Sequence, residues 1–407
     1  MNRPFVLVGA GQASAVAART LRRRGHDGPI VIVGDEQEAP YQRPPLSKEF
    51  LATGDEEGLY LLPPDWVERN AITLQLGVRA TRIRAAAGAV ELSDGTELAA
   101  SQILLATGGR PRRLSGTESR RVHYLRTIDD SRRLRALLTP GMRLIVIGAG
   151  FIGLEVAATA RAQGAHVTIV EALAVPLERV LGADIGAVCA DLHRTSGIDL
   201  RLNEVVESIV DVGEEVVVTT TSGPIVGDAV VVGIGIRPNV ELALESDLAV
   251  DNGVLVDEFC QTSLPNVFAA GDVANHLHPL WDERIRVEHF DNASRQGATA
   301  ARNMLGEQVA FDDPHWFWSD QHAHNLQYVG HAPRWDQLVI RGSLDDLDFS
   351  AFFLLEGRLR AAFAIDRGDD VMAAKELLSL RCAVAPEQLA DEDLDLLELA
   401  EPTRELA

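Results

Sequence analysis

One arrangement occurs twice in this chain: strand, tight glycine turn, helix, second strand, terminal acid. No other feature constrains the fold as strongly. The fuller copy runs Leu144-Ile145-Val146-Ile147-Gly148-Ala149-Gly150-Phe151-Ile152-Gly153-Leu154-Glu155. An apolar run of strand type meets three glycines spaced G-x-G-x-x-G. A helix-like run continues to Arg161, and a second strand, Val167 to Val170, ends on Glu171. In such a unit Gly148 allows the turn, Gly150 lets a pyrophosphate approach the backbone, and Gly153 lets helix and strand pack closely. The helix N-terminus offers N–H groups and a positive dipole end to phosphate. Glu171 stands where an acid binds both hydroxyls of an adenosine ribose. Ala172 and Leu173 follow it rather than an arginine, which reads as NADH instead of NADPH. The alternative is a doubly wound fold without nucleotide, its glycines serving only the turn.

The earlier copy has a strand at Phe5 to Val8, the loop Gly9-Ala10-Gly11-Gln12-Ala13-Ser14, and a helix from Ala15 to Arg24. Its second strand, Ile30 to Val33, ends in Gly34-Asp35-Glu36. Ser14 replaces the third small residue, a departure expected to loosen helix packing slightly. Two complete units imply two dinucleotides, and an oxidoreductase using FAD and NADH is the economical reading.

The bulk properties narrow the classes. A length of 407 residues suggests two or three domains, and a hydrophobic fraction of 46% is ample for sizeable cores. A net charge of −22 makes nucleic acid and anionic membrane surfaces poor partners, and an acidic protein partner would need a local basic patch. The start, Met1-Asn2-Arg3-Pro4-Phe5-Val6, runs directly into a strand and does not read as a signal peptide. No apolar run approaches a membrane span; Ala229 to Ile236 is among the longest and suits a buried strand. The expected location is the cytoplasm. Cys189, Cys260 and Cys382 are widely spaced and form neither a C-x-x-C nor a C-x₄-C pair, so neither a disulfide framework nor a dithiol redox centre is written here.

Between the glycine units lies Pro40-Tyr41-Gln42-Arg43-Pro44-Pro45-Leu46-Ser47-Lys48. Its prolines stiffen the segment, and Arg43 and Lys48 supply positive charge. It reads as a rigid clamp near a flavin, with Lys48 the cation by the ring, or as a solvated surface loop. A helix is expected over Pro64 to Asn70, with strands at Thr73 to Leu76, Ala89 to Leu92 and Gln102 to Leu105. The last leads into Ala106-Thr107-Gly108-Gly109-Arg110-Pro111, small residues that let backbone lie against a ligand. Arg126 opens the approach to the second unit, while Arg132, Arg133 and Arg135 read as a solvated helix face.

After Glu171 a helix is expected from Asp184 to Ser196, then strands at Leu200–Leu202, Val205–Val210, Val216–Thr220 and Asp228–Gly233. Ile234-Gly235-Ile236-Arg237-Pro238 repeats the glycine and Arg-Pro pattern of residues 106–111 and would return the chain to the first domain. In Val267-Phe268-Ala269-Ala270-Gly271-Asp272, the aspartate either accepts from ribityl hydroxyls before a helix N-terminus or is an N-cap. The helix expected to follow is Glu288 to Met304. Past Phe311, His315-Trp316-Phe317-Trp318-Ser319-Asp320-Gln321 concentrates aromatics. Strands at Leu338–Arg341, Phe349–Leu355 and Leu359–Ile365 suggest an antiparallel sheet, followed by helices at Asp370–Ser379 and Pro386–Ala390 and an acidic end from Ala390 to Ala407. His276/His278 and His322/His324 have H-x-H spacing, but no third ligand is in register, so loop histidines are favoured over zinc and no metal is expected. Arg295 and Arg302 share a helix face and read either as a dock for an acidic partner or as a solvated face.

These residues resemble the NADH-dependent, FAD-containing ferredoxin reductases of aromatic-ring dioxygenase and monooxygenase systems. The resemblance covers essentially the whole chain. It rests on Gly9-Ala10-Gly11, Arg43-Pro44-Pro45-Leu46-Ser47-Lys48, Ala106-Thr107-Gly108, Tyr124-Leu125-Arg126-Thr127, Gly148 to Glu155, Gly271-Asp272 and Trp316-Phe317-Trp318-Ser319-Asp320-Gln321. It implies an α/β, glutathione-reductase-like fold with two Rossmann-type dinucleotide domains and a C-terminal α+β domain carrying an antiparallel sheet. The implied boundaries are 1–110 with 236–310 for FAD, 111–235 for NADH, and 311–407 for the C-terminal domain. FAD would contact Gly9, Gly11, Ala13, Asp35, Arg43, Lys48, Ala80, Arg126, Asp272 and Phe290. NADH would contact Gly148, Gly150, Ile152, Gly153, Glu155, Glu171 and Gly235. Glu155 would sit near the nicotinamide amide and pair with Lys48, and Trp318 would lie beside the flavin; these three are the candidate catalytic residues. Phe290, Gln321-His322-Ala323-His324 and Ala364-Ile365-Asp366-Arg367 depart from the family pattern, which touches the pocket edge and partner preference.

The implied reaction passes hydride from NADH to FAD and then single electrons to a small acidic 2Fe–2S ferredoxin that feeds an oxygenase. The cofactor carries this chemistry and the protein aligns the rings. A flavin-dependent disulfide reductase or NADH oxidase is the nearest rival, but its reactive cysteine is missing between Asp35 and Leu62. An NADH-responsive binding protein resembling apoptosis-inducing factor is the other.

Overall fold

The computed structural model describes residues 3–115 and 119–400. Met1, Asn2 and the acidic end past Ala400 lie outside the described residues. By packing, the chain falls into two compact units. One comprises residues 1–42, 56–110 and 237–315, the other 43–55, 111–236 and 316–407.

The first unit is built on a five-stranded parallel sheet in the order Val267–Ala269, Gln102–Leu105, Phe5–Val8, Ile30–Val33, Ile72–Gln75. The central strands Phe-Val-Leu-Val and Ile-Val-Ile-Val are buried throughout, as continuous apolar strands of a parallel sheet must be. Their period of two sends Val6, Val8, Val31 and Val33 to one core and Phe5, Leu7, Ile30 and Ile32 to another. The second core is closed by the helices Gln12–Arg23 and Phe290–Met304. Ser14 stands inside this packing. It is fully buried, and the close approach is supplied across the helix pair by Gly297, where a Cβ would lie 2.4 Å from the Ala13 carbonyl oxygen.

The helix expected at Glu288 to Met304 is present, but a hairpin absent from the sequence reading separates it from Gly271 and Asp272. The strands Ala274–His278 and Glu283–Ile285 intervene, and the helix begins at Phe290 with His289 as its N-cap. Asp272 is therefore no N-cap. Histidines and a Trp-Asp turn hid this hairpin, because they match neither an apolar alternation nor a glycine turn.

The second unit repeats the design. Its parallel sheet runs Asp199–Arg201, His166–Val170, Arg143–Ile147, Ala229–Val232, Val122–His123. Ile145, Ile147, Val230 and Val232 face an antiparallel sheet of Val206–Val212, Glu215–Thr220 and Gly223–Gly227. On the other face, Leu144, Val146, Val167 and Ile169 share one continuous core with Phe317, Leu326, Tyr328, Phe353 and Phe363. Those last residues belong to the antiparallel sheet Trp316–Gln321, His324–Gly330, Arg358–Ile365, Asp348–Leu355, Gln337–Ser343. The C-terminal region therefore shares its core with the second nucleotide unit, and residues 43–55 pack there too. The helix expected from Asp184 begins at Glu178 and is interrupted at Gly182 (φ +75°), where a Cβ would lie 2.6 Å from the Trp335 ring.

That helix carries His193, fully buried, whose imidazole is pushed down to about 4 by loss of hydration. With an ordinary value of 6.5 in the unfolded chain, its stabilising contribution is complete above pH 6.5 and is lost as the pH falls towards 4. Urea unfolding should therefore show stability falling by about 3 kcal/mol from this group over that window. The slope should flatten in His193→Gln; an unchanged slope would refute the assignment. In the first unit, Gly297→Ala should cost about 1–3 kcal/mol in the same measurement, because its Cβ meets backbone that cannot swing away.

Candidate functional site

In the first unit, the chain leaves the strand Phe5–Val8 through Gly9 at φ +113°. A Cβ there would lie 2.1 Å from the Ala106 carbonyl oxygen, so only glycine fits beside the end of the strand Gln102–Leu105. Gly11 is the N-cap of the helix Gln12–Arg23, and a Cβ on it would meet nothing within 4 Å. No side chain caps this helix and no acid occupies its first turn, so its N–H groups and positive dipole end are presented to an anion. A pyrophosphate of FAD fits this cradle. Gly271 (φ +79°) lies beside buried Ala13, and its N–H donates to Gln296 Oε1 at 2.9 Å. Asp272 is 9% exposed. Burial pushes His289 down to about 4, against the pull of the Asp272 charge. Phe290 opens the next helix, half-buried. Asp35 is exposed, 4.0 Å from Arg79. Ala80 turns its side chain into the core, leaving only its backbone for a ligand.

In the second unit, Gly148 stands at φ +98°, and a Cβ there would lie 2.6 Å from the Gly233 carbonyl oxygen. A Cβ on Gly153 would lie 2.2 Å from the Gly148 carbonyl oxygen, which fixes the close helix–strand approach. Gly150 is the N-cap of Phe151–Ala162, again with no side-chain cap and no acid in the first turn. Glu171 accepts from the backbone N–H of Ala149 (2.7 Å) and of Leu173 (2.9 Å). Each carboxylate oxygen keeps a lone pair for a ribose hydroxyl. Ile152 is 47% exposed, and Gly235 (φ +89°) follows the strand Ala229–Val232.

The Pro-rich segment folds as a 3₁₀ turn, Pro44–Ser47, with Lys48 at its end. Its carbonyls are held from the second unit. Ser131 Oγ donates to Leu46 O (2.7 Å) and Thr159 Oγ1 to Ser47 O (2.8 Å), while Arg43 Nη1 donates to the Arg126 carbonyl (2.6 Å). Arg43, Lys48 and Arg126 thus all belong to the second unit. One turn before Thr159 is Glu155, 3% exposed. Its Oε2 accepts from Ser47 Oγ at 2.5 Å, and its Oε1 from Lys48 Nζ at 2.8 Å and Ser319 Oγ at 2.6 Å. A buried carboxylate is tolerated when a cation and hydrogen-bond donors replace its water, and both are present. Ser47 and Ser319 were not singled out from the sequence, although each adjoins a residue that was. Trp318 projects to the opposite face of its strand from Ser319 and stacks on Trp316 at 5.4 Å between centroids.

Other candidates change character. His276 and His278 lie on a buried strand rather than a loop, and buried His315 supplies the third imidazole that spacing alone did not reveal, with ring nitrogens of all three within 4.8 Å of one another. Yet Gln296 Nε2 donates to His276 Nδ1 (3.0 Å), and His278 receives the Leu280 N–H at Nδ1 (3.2 Å) while donating from Nε2 to Asp313 O (3.1 Å). Both nitrogens of His278 are thereby committed, so it offers no lone pair to a cation. His322 and His324 diverge, towards His193 and Asp366 respectively. Arg295 is engaged by Asp291 and Asp313, and Arg302 by Glu307, so this helix face is not an uncompensated basic patch. Cys189 and Cys260 are fully buried, and burial pushes both thiols up, the first to about 12. Neither furnishes a thiolate. Among the described residues no helix is long and apolar enough to cross a membrane.

Residues 3–297 match the family model described as pyridine nucleotide-disulphide oxidoreductase, and residues 316–400 match a reductase C-terminal model. The chain is 42% identical over 398 residues to the ferredoxin–NAD(+) reductase component of an anthranilate 1,2-dioxygenase system from Burkholderia cepacia, covering 97% of this chain and 98% of that one. It is 38% identical over 408 residues to putidaredoxin reductase of Pseudomonas putida, covering 98% and 97%. The reductase chain in a covalent putidaredoxin reductase–putidaredoxin complex superposes with a TM-score of 0.95 at 37% identity, covering 99% of each chain. With two glycine cradles of nucleotide type and matching models along nearly its whole length, the chain belongs to the pyridine nucleotide-disulphide oxidoreductase family, in its glutathione-reductase-like α/β fold.

Proposed function

We propose that this protein is an NADH-dependent ferredoxin reductase, with FAD as its bound cofactor and NADH as its electron donor. The observation that supports this most is the buried Glu155, joined to Lys48 directly behind the glycine loop of the second unit. That arrangement occurs in a chain similar over its full length to ferredoxin reductase components. Bound FAD would supply the conversion of a two-electron donor into single-electron delivery. The chain's own residues bind and orient. The uncapped N-terminus after Gly11 takes the pyrophosphate, with Gly9, Ala13, Asp35, Ala80, Asp272 and Phe290 as further flavin contacts. Gly148, Gly150, Ile152, Gly153 and Gly235 receive NADH, and Glu171 accepts from the adenosine ribose. Lys48 is held by Glu155 as a fixed positive charge for negative charge that develops during reduction. Trp318 is proposed as an aromatic neighbour of the flavin, and Arg43 and Arg126 as contacts of FAD. The domain limits proposed are 1–110 with 236–310, 111–235, and 311–407.

The electron acceptor proposed is a 2Fe–2S ferredoxin serving an oxygenase, met through a local basic patch, in the cytoplasm. Without a low-pKa thiol in either buried cysteine, a dithiol relay has no residue to run on there.

NADH-driven cytochrome c reduction should depend on added ferredoxin; full activity without it would overturn the reading. Lys48→Ala should slow single-turnover flavin reduction by about tenfold or more, as expected for a lost charge at a developing charge. A normal rate would remove Lys48 from this role. Glu171→Gln should raise KM for NADH by about tenfold, the scale of one hydrogen bond to a charged acceptor, with little change in kcat. An unchanged KM would displace the ribose from Glu171.

A further inference from the structure

A file of hydrogen bonds runs through the second unit from the hairpin turn of the C-terminal sheet to Glu155. His322 Nε2 lies 3.1 Å from His193 Nδ1, and His193 Nε2 lies 2.9 Å from Gln321 Oε1. Gln321 Nε2 donates to Ser319 Oγ at 3.0 Å, and Ser319 Oγ donates to Glu155 Oε1 at 2.6 Å. His193, Gln321, Ser319 and Glu155 are all buried.

The direction of every bond follows from its two ends. Glu155, ion-paired with Lys48, is a carboxylate and only accepts. Ser319 must spend its single proton on it. The hydroxyl can then only accept from Gln321, so the amide nitrogen faces Ser319 and the amide oxygen faces His193. Reversing the amide would set two oxygens together with no proton between them. His193 therefore carries its proton on Nε2. It stays neutral, since burial holds it near 4, and Nδ1 is left as an acceptor for His322 Nε2–H. All four donors point towards Glu155, and such a chain polarises itself link by link. The outer end is bought with strain: His322 sits at φ +55°, a left-handed conformation that a non-glycine residue adopts at a cost.

We propose that Gln321, His193 and His322 are positioning residues for the reductase reaction, fixing the Ser319 hydroxyl so that its proton is always aimed at Glu155. None of them touches substrate. They act through Ser319, which with Ser47 and Lys48 sets the geometry of the carboxylate and hence of the Lys48 ammonium. The proposal rests on the reductase reading above.

The test uses the FAD-loaded full chain and anaerobic stopped-flow reduction by NADH. Ser319→Ala should slow reduction about tenfold to a hundredfold, the span for losing a hydrogen bond to a charged group. Gln321→Glu keeps the shape but offers Ser319 only acceptors, which draws its proton away from Glu155; a comparable loss is expected. Gln321→Met removes the amide without adding charge and should do the same, so one variant that fails to load FAD does not end the test. The deciding measurement is the double variant. Ser319→Ala with Gln321→Glu should be no slower than Ser319→Ala alone, because both remove the same donor. A merely structural role for Gln321 predicts losses that multiply, and that result would overturn the proposal, as would normal rates in both Gln321 variants. If NADH fails to reduce the unmodified protein, the reductase reading itself falls; if it succeeds and the losses multiply, only the positioning file does.

Discussion

A carboxylate buried at 3% exposure has to be given back what water provided, and much of the second unit is arranged around doing so for Glu155. Its helix is placed by Gly153, which has no side chain to keep it from the neighbouring strand. Ser47 and Lys48 reach it from a proline-stiffened turn that Thr159 and Ser131 hold by its carbonyls. Ser319 reaches it from an edge strand of the C-terminal sheet. Removing one partner from such a buried pair costs far more than the pair contributes, because the remaining charge stays in a medium that cannot solvate it. This makes the geometry specific rather than strong.

The two glycine cradles show the same economy with backbone in place of charge. At Gly9 and Gly148 the space a side chain would need is filled by a carbonyl oxygen of the neighbouring strand end. At Gly11 the corresponding space is open. One glycine is thus required by the protein and the other by whatever lies outside it. Both helices begin without a side-chain cap, so their first N–H groups are left for a ligand.

Much of this was legible in the sequence because the period-two apolar strands and the glycine spacing are local signals. The parallel strands around Phe5 and Leu144 and the two cradles follow from them, whereas the Lys48–Glu155 pair is implied only by the resemblance to the ferredoxin reductases. What escaped notice was the product of distant contacts. Trp-Phe-Trp at 316–318 conceals a strand, since aromatics occupy both faces and erase the alternation. Ser47 and Ser319 are unremarkable until the fold sets them on either side of one carboxylate. His315 joins His276 and His278 only through tertiary packing, and only the hydrogen bonds show that His278 is already committed. Gly297 sets the approach of the helix pair in the first unit, and nothing near the first glycine loop announces it. The shared core of the C-terminal sheet and the second nucleotide sheet is equally invisible to a linear reading, which sees only a change in composition near Phe311.

The donors of Glu155 lie 108 residues before it and 164 after it in the chain. This has a consequence for synthesis. A ribosome that has delivered Glu155 has already delivered Ser47 and Lys48, so two partners can assemble at once. The third does not exist until 164 further residues have been added. The second unit therefore cannot close its polar interior domain by domain as it emerges. It must wait, with the aromatic core around Phe317 still absent and the adjoining apolar face of the nucleotide sheet uncovered. Contacts of this separation carry a long loop-closure cost before they return anything, which places the completion of this unit among the late events of folding.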